Sequence, residues 1–195
     1  MHLSMSINTD ISLKRDFIKA HLEKPLVMIG LMGAGKTSIG KMLAEELGCD
    51  FIDSDDEIVK REGRTIPEIF EQSGEPHFRK VEREVIGDLM KDTKPHVIGT
   101  GGGAFMNAQT REAIKQSATS LFLKAHINVL LNRVGKGEGR PLLMAGNPRE
   151  ILQGLMNKRY PIYSEADITV DTRNEAPQKT LNRAIEALYT HLNPS

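Results

Sequence analysis

One octapeptide restricts this chain more than anything else in it. Gly30-Leu31-Met32-Gly33-Ala34-Gly35-Lys36-Thr37 satisfies G-x-x-x-x-G-K-[ST] at every defined position, between the apolar run Leu26–Ile29 and the amphipathic stretch Lys36–Leu47. A strand must therefore turn through glycines directly into a helix. Glycines in such a turn let successive backbone N–H groups face one anion, and the helix N-terminus adds a favourable dipole. Lys36 then reaches the outer phosphates, and the Thr37 hydroxyl ligates the Mg²⁺ they carry. A plain glycine turn with a surface lysine would not need the complete motif in this setting. The expectation is a site for a nucleoside triphosphate.

The remaining chain alternates in the same way. Apolar runs recur at Phe51–Ile52, Val97–Ile98, Leu121–Leu123 and Ile168–Val170, and amphipathic stretches at Pro76–Met90, Ala125–Val134, Pro148–Asn157 and Gln178–Leu192. Strands alternating with helices give βαβ units, hence an α/β fold with a central parallel β-sheet flanked by helices. The 195 residues suit one domain. Residues 25–195 form it, and residues 1–24 are an N-terminal extension with a partial helix around Ile11–Leu22. The segment Gly135-Lys136-Gly137-Glu138-Gly139-Arg140-Pro141 is the candidate for a mobile lid, since glycine adds backbone freedom.

Charge and cysteine content exclude other classes. Lys+Arg and Asp+Glu both number 26, so the chain has no bulk charge for coating nucleic acid or an anionic membrane. No apolar run approaches the ~18 residues of a membrane span. The acids among the first 24 residues argue against a signal or transit peptide. Cys49 is the one cysteine, which rules out an internal disulfide and fits a reducing, cytoplasmic setting. The six histidines form no ligand-spaced pair.

Two further clusters carry chemistry. Asp53-Ser54-Asp55 follows the run Phe51–Ile52, and ligands of open α/β sheets bind beyond the carboxyl ends of strands. One aspartate there serves a metal or its water shell, and the other orients or deprotonates an acceptor hydroxyl. Asp56 and Glu57 read as acids favoured at a helix start. Gly99-Thr100-Gly101-Gly102-Gly103-Ala104 fits the dinucleotide pattern G-x-G-x-x-A only loosely. The acid expected about 20 positions on is missing, so the run reads as a close approach of backbone to ligand or as a tight turn. No Asp-x-x-Gly occurs, and the one Asn-Lys pair, Asn157-Lys158, lacks a following aspartate. A guanine-nucleotide switch is therefore disfavoured against a small kinase.

Together with Gly74-Glu75-Pro76-His77-Phe78-Arg79, Glu82, Arg140-Pro141-Leu142-Leu143 and Arg159-Tyr160-Pro161-Ile162-Tyr163, these motifs resemble shikimate kinase, in that family's order, over about residues 25–190. The resemblance implies a P-loop kinase that transfers phosphate from ATP to the 3-hydroxyl of shikimate, in chorismate and aromatic amino-acid biosynthesis. It implies Lys36, Asp55 and Arg140 as catalytic residues. ATP would meet Gly33, Ala34, Gly35, Lys36, Thr37, Ser38, Arg133, Arg140 and Pro177, with Arg133 and the Asn174–Pro177 loop around adenine. Shikimate would meet Asp55, Phe70, Phe78, Arg79, Gly101, Gly102, Gly103 and Arg159. Thr37 and Asp53 would hold Mg²⁺, and Glu82 would keep Arg79 in place. The implied protein is a monomer whose partners are the small molecules shikimate and ATP, with neither nucleic acid nor membrane.

The residues make independent sense of this. Arginine pairs with a carboxylate through two donors, and Arg79 and Glu82 are three apart on one helical stretch. Alternatives are another small-molecule kinase, acting on gluconate or a nucleoside monophosphate, and a binding module that hydrolyses ATP slowly to signal to a partner. Every matched motif lies beyond residue 24, so the extension is expected to be dispensable for catalysis.

Overall fold

Short, mostly buried strands need cover on both faces, and this chain supplies it with the helices between them. The structure, a computed structural model, describes residues 2–92, 94–134 and 146–194. In order the elements are α1 (His2–His21), β1 (Leu26–Ile29), α2 (Lys36–Leu47), β2 (Phe51–Asp53), α3 (Ser54–Glu62), α4 (Ile66–Leu89), β3 (Val97–Gly99) and a 3-10 turn at Ala104–Met106. Next come α5 (Ala108–Ser117), β4 (Thr119–Ala125), α6 (Ile127–Val134), α7 (Pro148–Tyr163), β5 (Ile168–Thr172) and α8 (Pro177–Leu192). The five strands are all parallel, in the order β2-β3-β1-β4-β5. The expected sheet is therefore present, while the lid segment with Arg140 lies outside the described residues.

Register, more than strand order, decides which residues share the carboxyl end of the sheet. Met28 and Asp53 both pair with Gly99, so β1, β3 and β2 end at the same level. Packing holds that level. A Cβ on Gly40 or Gly99 would come within 2.6 and 2.7 Å of carbons of the Phe51 ring. The ring wedges between α2 and β3 because both positions are glycine. The Thr100 hydroxyl then donates to the Met28 carbonyl at 2.8 Å, tying the exit of β3 to β1.

Several elements extend beyond their sequence signals. α4 starts ten residues before Pro76, because Thr65 and Glu68 form a reciprocal capping box and a proline occupies the first turn. Gly74, at φ 78° and ψ 170°, kinks it just before Pro76. α7 runs through Pro161 to Tyr163, where the sequence favours a stop. α5, which hydropathy alone does not mark, is capped by the Asn107 side chain, an acceptor for the Gln109 and Thr110 amides at 2.9 and 3.1 Å.

α1 is a full helix that lies against α8 and α2. Ile18 and Leu22 are buried in the main core, Phe17 meets the edge of Tyr189 with ring centroids 5.0 Å apart, and Lys14 pairs with Glu186 at 2.6 Å. Arg15 pairs with Glu46 on α2. The ion pairs are exposed and contribute little; the buried Ile18 carries the attachment. Ile18→Ala should therefore lower unfolding free energy by about 2–5 kcal/mol in denaturant titration. A change well under 1 kcal/mol would mean that α1 is only loosely docked.

Candidate active site

The phosphate loop between β1 and α2 has the conformation its glycines allow. Gly33 and Gly35 take φ 80° and 101°, values that side-chain-bearing residues rarely adopt. The Lys36 ammonium folds back over the loop, donating to the Gly30 carbonyl at 2.8 Å and to Leu31 at 3.3 Å. Thr37 and Ser38 stand at the helix start, Ser38 exposed. Arg133, at the end of α6, bridges the loop to the far side of the sheet. One guanidinium nitrogen reaches the Ala34 carbonyl at 3.1 Å and Thr172 Oγ1 at 3.1 Å, the other the Arg173 carbonyl at 2.6 Å. Beside it is a cleft of about 240 Å³ lined by Gly35, Ser38, Arg133, Thr172 and Pro177, among others.

Across β1 from that cleft, side chains converge on Gly101–Gly103. Asp53 caps α3, accepting from the Asp55 amide at 3.1 Å. Two residues on, Asp55 has its Oδ1 buried and, among the described residues, without a hydrogen-bond partner. Arg79 donates to Glu82 Oε2 at 2.8 Å and to Glu75 at 3.2 Å, while Glu82 Oε1 is also buried and has no hydrogen-bond partner among the described residues. Arg159, from α7, donates to the Gly102 carbonyl at 2.8 Å. A side chain at Gly103 would collide with this set, and one at Gly101 or Gly102 would press on it. A Cβ on Gly101 would sit 3.0 Å from Glu82 Oε1 and 3.2 Å from Asp55 Oδ1; on Gly102, 3.2 Å from Arg159 Nη1; on Gly103, 2.6 Å from Arg79 Nη1.

Burial sets the electrostatics. It pushes the carboxyls of Asp53 and Asp55 above the usual carboxylate range, and Asp53 raises Asp55 further, against the pull of Lys36. Glu82 is raised too, since its burial outweighs the attraction of Arg79. Burial works against the charge of Arg79, but Glu82 and Glu75 more than offset it and hold its pKa above the ordinary value. Beside this set, Phe70 and Phe78 pack with centroids 4.6 Å apart; Phe78 is buried and Phe70 is 38% exposed.

The chain as a whole is similar to known proteins. The shikimate kinase family model matches residues 32–189. This chain belongs to the shikimate kinase family. It is 46% identical over 176 residues to the shikimate kinase of Paramagnetospirillum magneticum, covering 90% of each chain. Among solved structures it resembles the Acinetobacter baumannii shikimate kinase in complex with shikimate, with a TM-score of 0.79 and 36% identity over 88% of this chain and 95% of that one. A gluconokinase from Sinorhizobium meliloti, at 20% identity and a TM-score of 0.55 over 86% of this chain and 93% of that one, shares the fold alone.

Of the residues singled out in the sequence, Lys36, Asp53, Asp55, Arg79, Gly101, Gly102, Gly103 and Arg159 come together at one end of the sheet. Arg133 and Pro177 line the neighbouring cleft. Arg140 lies outside the described residues. Tyr163, whose hydroxyl also donates to the Gly102 carbonyl, has no role that the sequence discloses. Its spacing of four from Arg159 on a helix is the available signal.

The raised carboxyl of Asp55 fixes the sign of a pH effect. A buried acid with an elevated folded pKa destabilises the fold fully above that pKa and not at all below its unfolded value. Asp55→Asn should therefore raise the thermal midpoint of the ligand-free protein at pH 8, with an advantage that shrinks as pH falls towards 4. A lower midpoint for the variant at pH 8 would contradict the electrostatic account.

Proposed function

We propose that this chain transfers the γ-phosphoryl group of ATP to the 3-hydroxyl of shikimate, forming shikimate 3-phosphate for aromatic amino-acid biosynthesis. The observation that carries this reading is the convergence of Arg79 and Arg159, 80 positions apart, on a glycine strip that also borders the half-buried Asp55. Two guanidinium groups suit a carboxylate, and the adjacent acid suits a hydroxyl on the same molecule. Shikimate carries both, on a ring that the Phe70–Phe78 pair would flank.

Each side chain then has one task. Arg79 and Arg159 hold the carboxylate, and Glu82 keeps Arg79 aimed. The N–H groups and bare Cα atoms of Gly101, Gly102 and Gly103 let the ring approach the backbone. Asp55 accepts a hydrogen bond from the 3-hydroxyl. As the hydroxyl oxygen bonds to the γ-phosphorus, the bond to the β–γ bridging oxygen breaks, ADP leaves with the electron pair, and the hydroxyl proton passes to Asp55. A carboxyl lifted by burial is a better proton acceptor than a solvated one. Lys36 leaves the Gly30 carbonyl for the β- and γ-phosphates, and the Gly33–Ser38 backbone cradles them. Arg133 and Pro177 border the adenine. Arg140 would add positive charge for the transferring group.

The oxygen donors at the loop suit Mg²⁺. No group of three or more His, Cys, Asp or Glu among the described residues makes a self-contained metal site, and magnesium typically takes one or two protein oxygens plus phosphates. Thr37 directly and Asp53 through water would supply that share. When bound, the ion neutralises developing phosphate charge. No helix among the described residues is long and apolar enough to cross a membrane. A cytoplasmic monomer acting on two small molecules completes the reading.

Equilibrium titration of both ligands tests the carboxylate grip. Arg79→Ala and Arg159→Ala should each weaken shikimate binding by roughly 10- to 150-fold, the range of one charged hydrogen bond, with ATP binding little changed. Unchanged shikimate affinity in both variants would defeat the assignment.

A further inference from the structure

Two donors from one helix meet on a single carbonyl at the proposed shikimate site. Tyr163 closes α7 with only 1% of its surface exposed, its ring packed against Phe105, Phe122 and Tyr160 at centroid separations of 6.4, 5.3 and 6.3 Å. Its hydroxyl donates to the Gly102 carbonyl, which also accepts from Arg159 Nη1. Burial raises the phenol pKa despite the neighbouring Arg159, so the hydroxyl keeps its proton and acts as a donor.

The consequence is geometric. In a planar trans peptide the C=O and the next residue's N–H point in opposite directions. Drawing the Gly102 oxygen towards α7 turns the Gly103 N–H the opposite way across the peptide plane, and the Arg79 guanidinium fills the space where Gly103 would carry a Cβ. Among the described residues the N–H groups of Gly102 and Gly103 have no protein acceptor, while the Gly101 and Gly103 carbonyls are taken by the Ala104 and Met106 amides at 3.2 and 3.1 Å. Glycine has no side chain to hold this peptide plane, so outside partners must fix it. We propose that Tyr163 is a positioning residue for shikimate binding: its hydroxyl locks the Gly102–Gly103 peptide and the Arg159 guanidinium in the orientation that receives the substrate. This rests on the proposed role of Arg159.

Tyr160 supplies the control. It lies on the same helix with a similarly engaged hydroxyl, which donates to the Ala125 carbonyl at 2.6 Å, away from the glycine strip. Steady-state kinetics of Tyr163→Phe, which keeps the packed ring, should show KM for shikimate raised roughly 3- to 10-fold, as for one neutral hydrogen bond. Both kcat and KM for ATP should stay within about twofold, and Tyr160→Phe should leave KM for shikimate unchanged. An unchanged shikimate KM in Tyr163→Phe, or equal rises in both variants, overturns the proposal. So does a rise in shikimate KM matched by a rise in ATP KM and a lower thermal midpoint, which marks the hydroxyl as merely structural. Arg159→Ala separates the two levels. If it leaves shikimate affinity intact, the proposed role of Arg159, on which this inference rests, falls. If it weakens shikimate while Tyr163→Phe does not, the positioning role alone is lost.

Discussion

The candidate site depends on three consecutive residues having no side chains. At Gly101 the space of a Cβ borders Glu82 and Asp55; at Gly102 it borders Arg159; at Gly103 it is filled by Arg79. These groups come from α3, α4 and α7, and the strip after β3 is where they meet. The register that ends β1, β2 and β3 at one level sets the phosphate loop beside them. Phosphoryl transfer asks mainly for positioning and electrostatic complementarity, and a bare backbone floor lets four charged side chains crowd one small volume.

That crowding is unfavourable without ligands. Asp55 Oδ1 and Glu82 Oε1 are buried with no hydrogen-bond partner among the described residues, and an unsatisfied buried polar atom typically costs about 1–3 kcal/mol. Natural folds tolerate such groups at functional sites, where a ligand supplies the missing partners. The attachment of α1 through Ile18 and Leu22 lies elsewhere, in the main core, and adds stability without entering the site.

How much of this the sequence discloses depends on how local each signal is. β1, the phosphate loop and α2 are legible because the motif and its flanks are contiguous, and α2 spans the predicted Lys36–Leu47. α5 is opaque because it buries only Thr110 and Ile114, too few apolar positions for a periodic signal; its Asn107 cap is the usable clue. The first half of α4 is hidden by Gly74 and Pro76, which read as a break and act as a kink. Pro161 misleads in the same way, since packing of Tyr160 and Tyr163 against Phe122 carries α7 past it. The meeting of Arg79 with Arg159 cannot be read from spacing, because it depends on strand order and register. Family resemblance alone points to it, whereas the hydrogen bond from Tyr163 to the Gly102 carbonyl shows only in three dimensions.

The central claim is that this pocket selects a ring carrying a carboxylate and an acceptor hydroxyl, and couples its binding to ATP cleavage. The most direct measurement is ADP formation by the intact chain with ATP alone, with shikimate added and with gluconate added. The account predicts strong stimulation by shikimate and little by gluconate, with one shikimate 3-phosphate formed per ADP. ADP release independent of shikimate, or greater stimulation by gluconate, would contradict it.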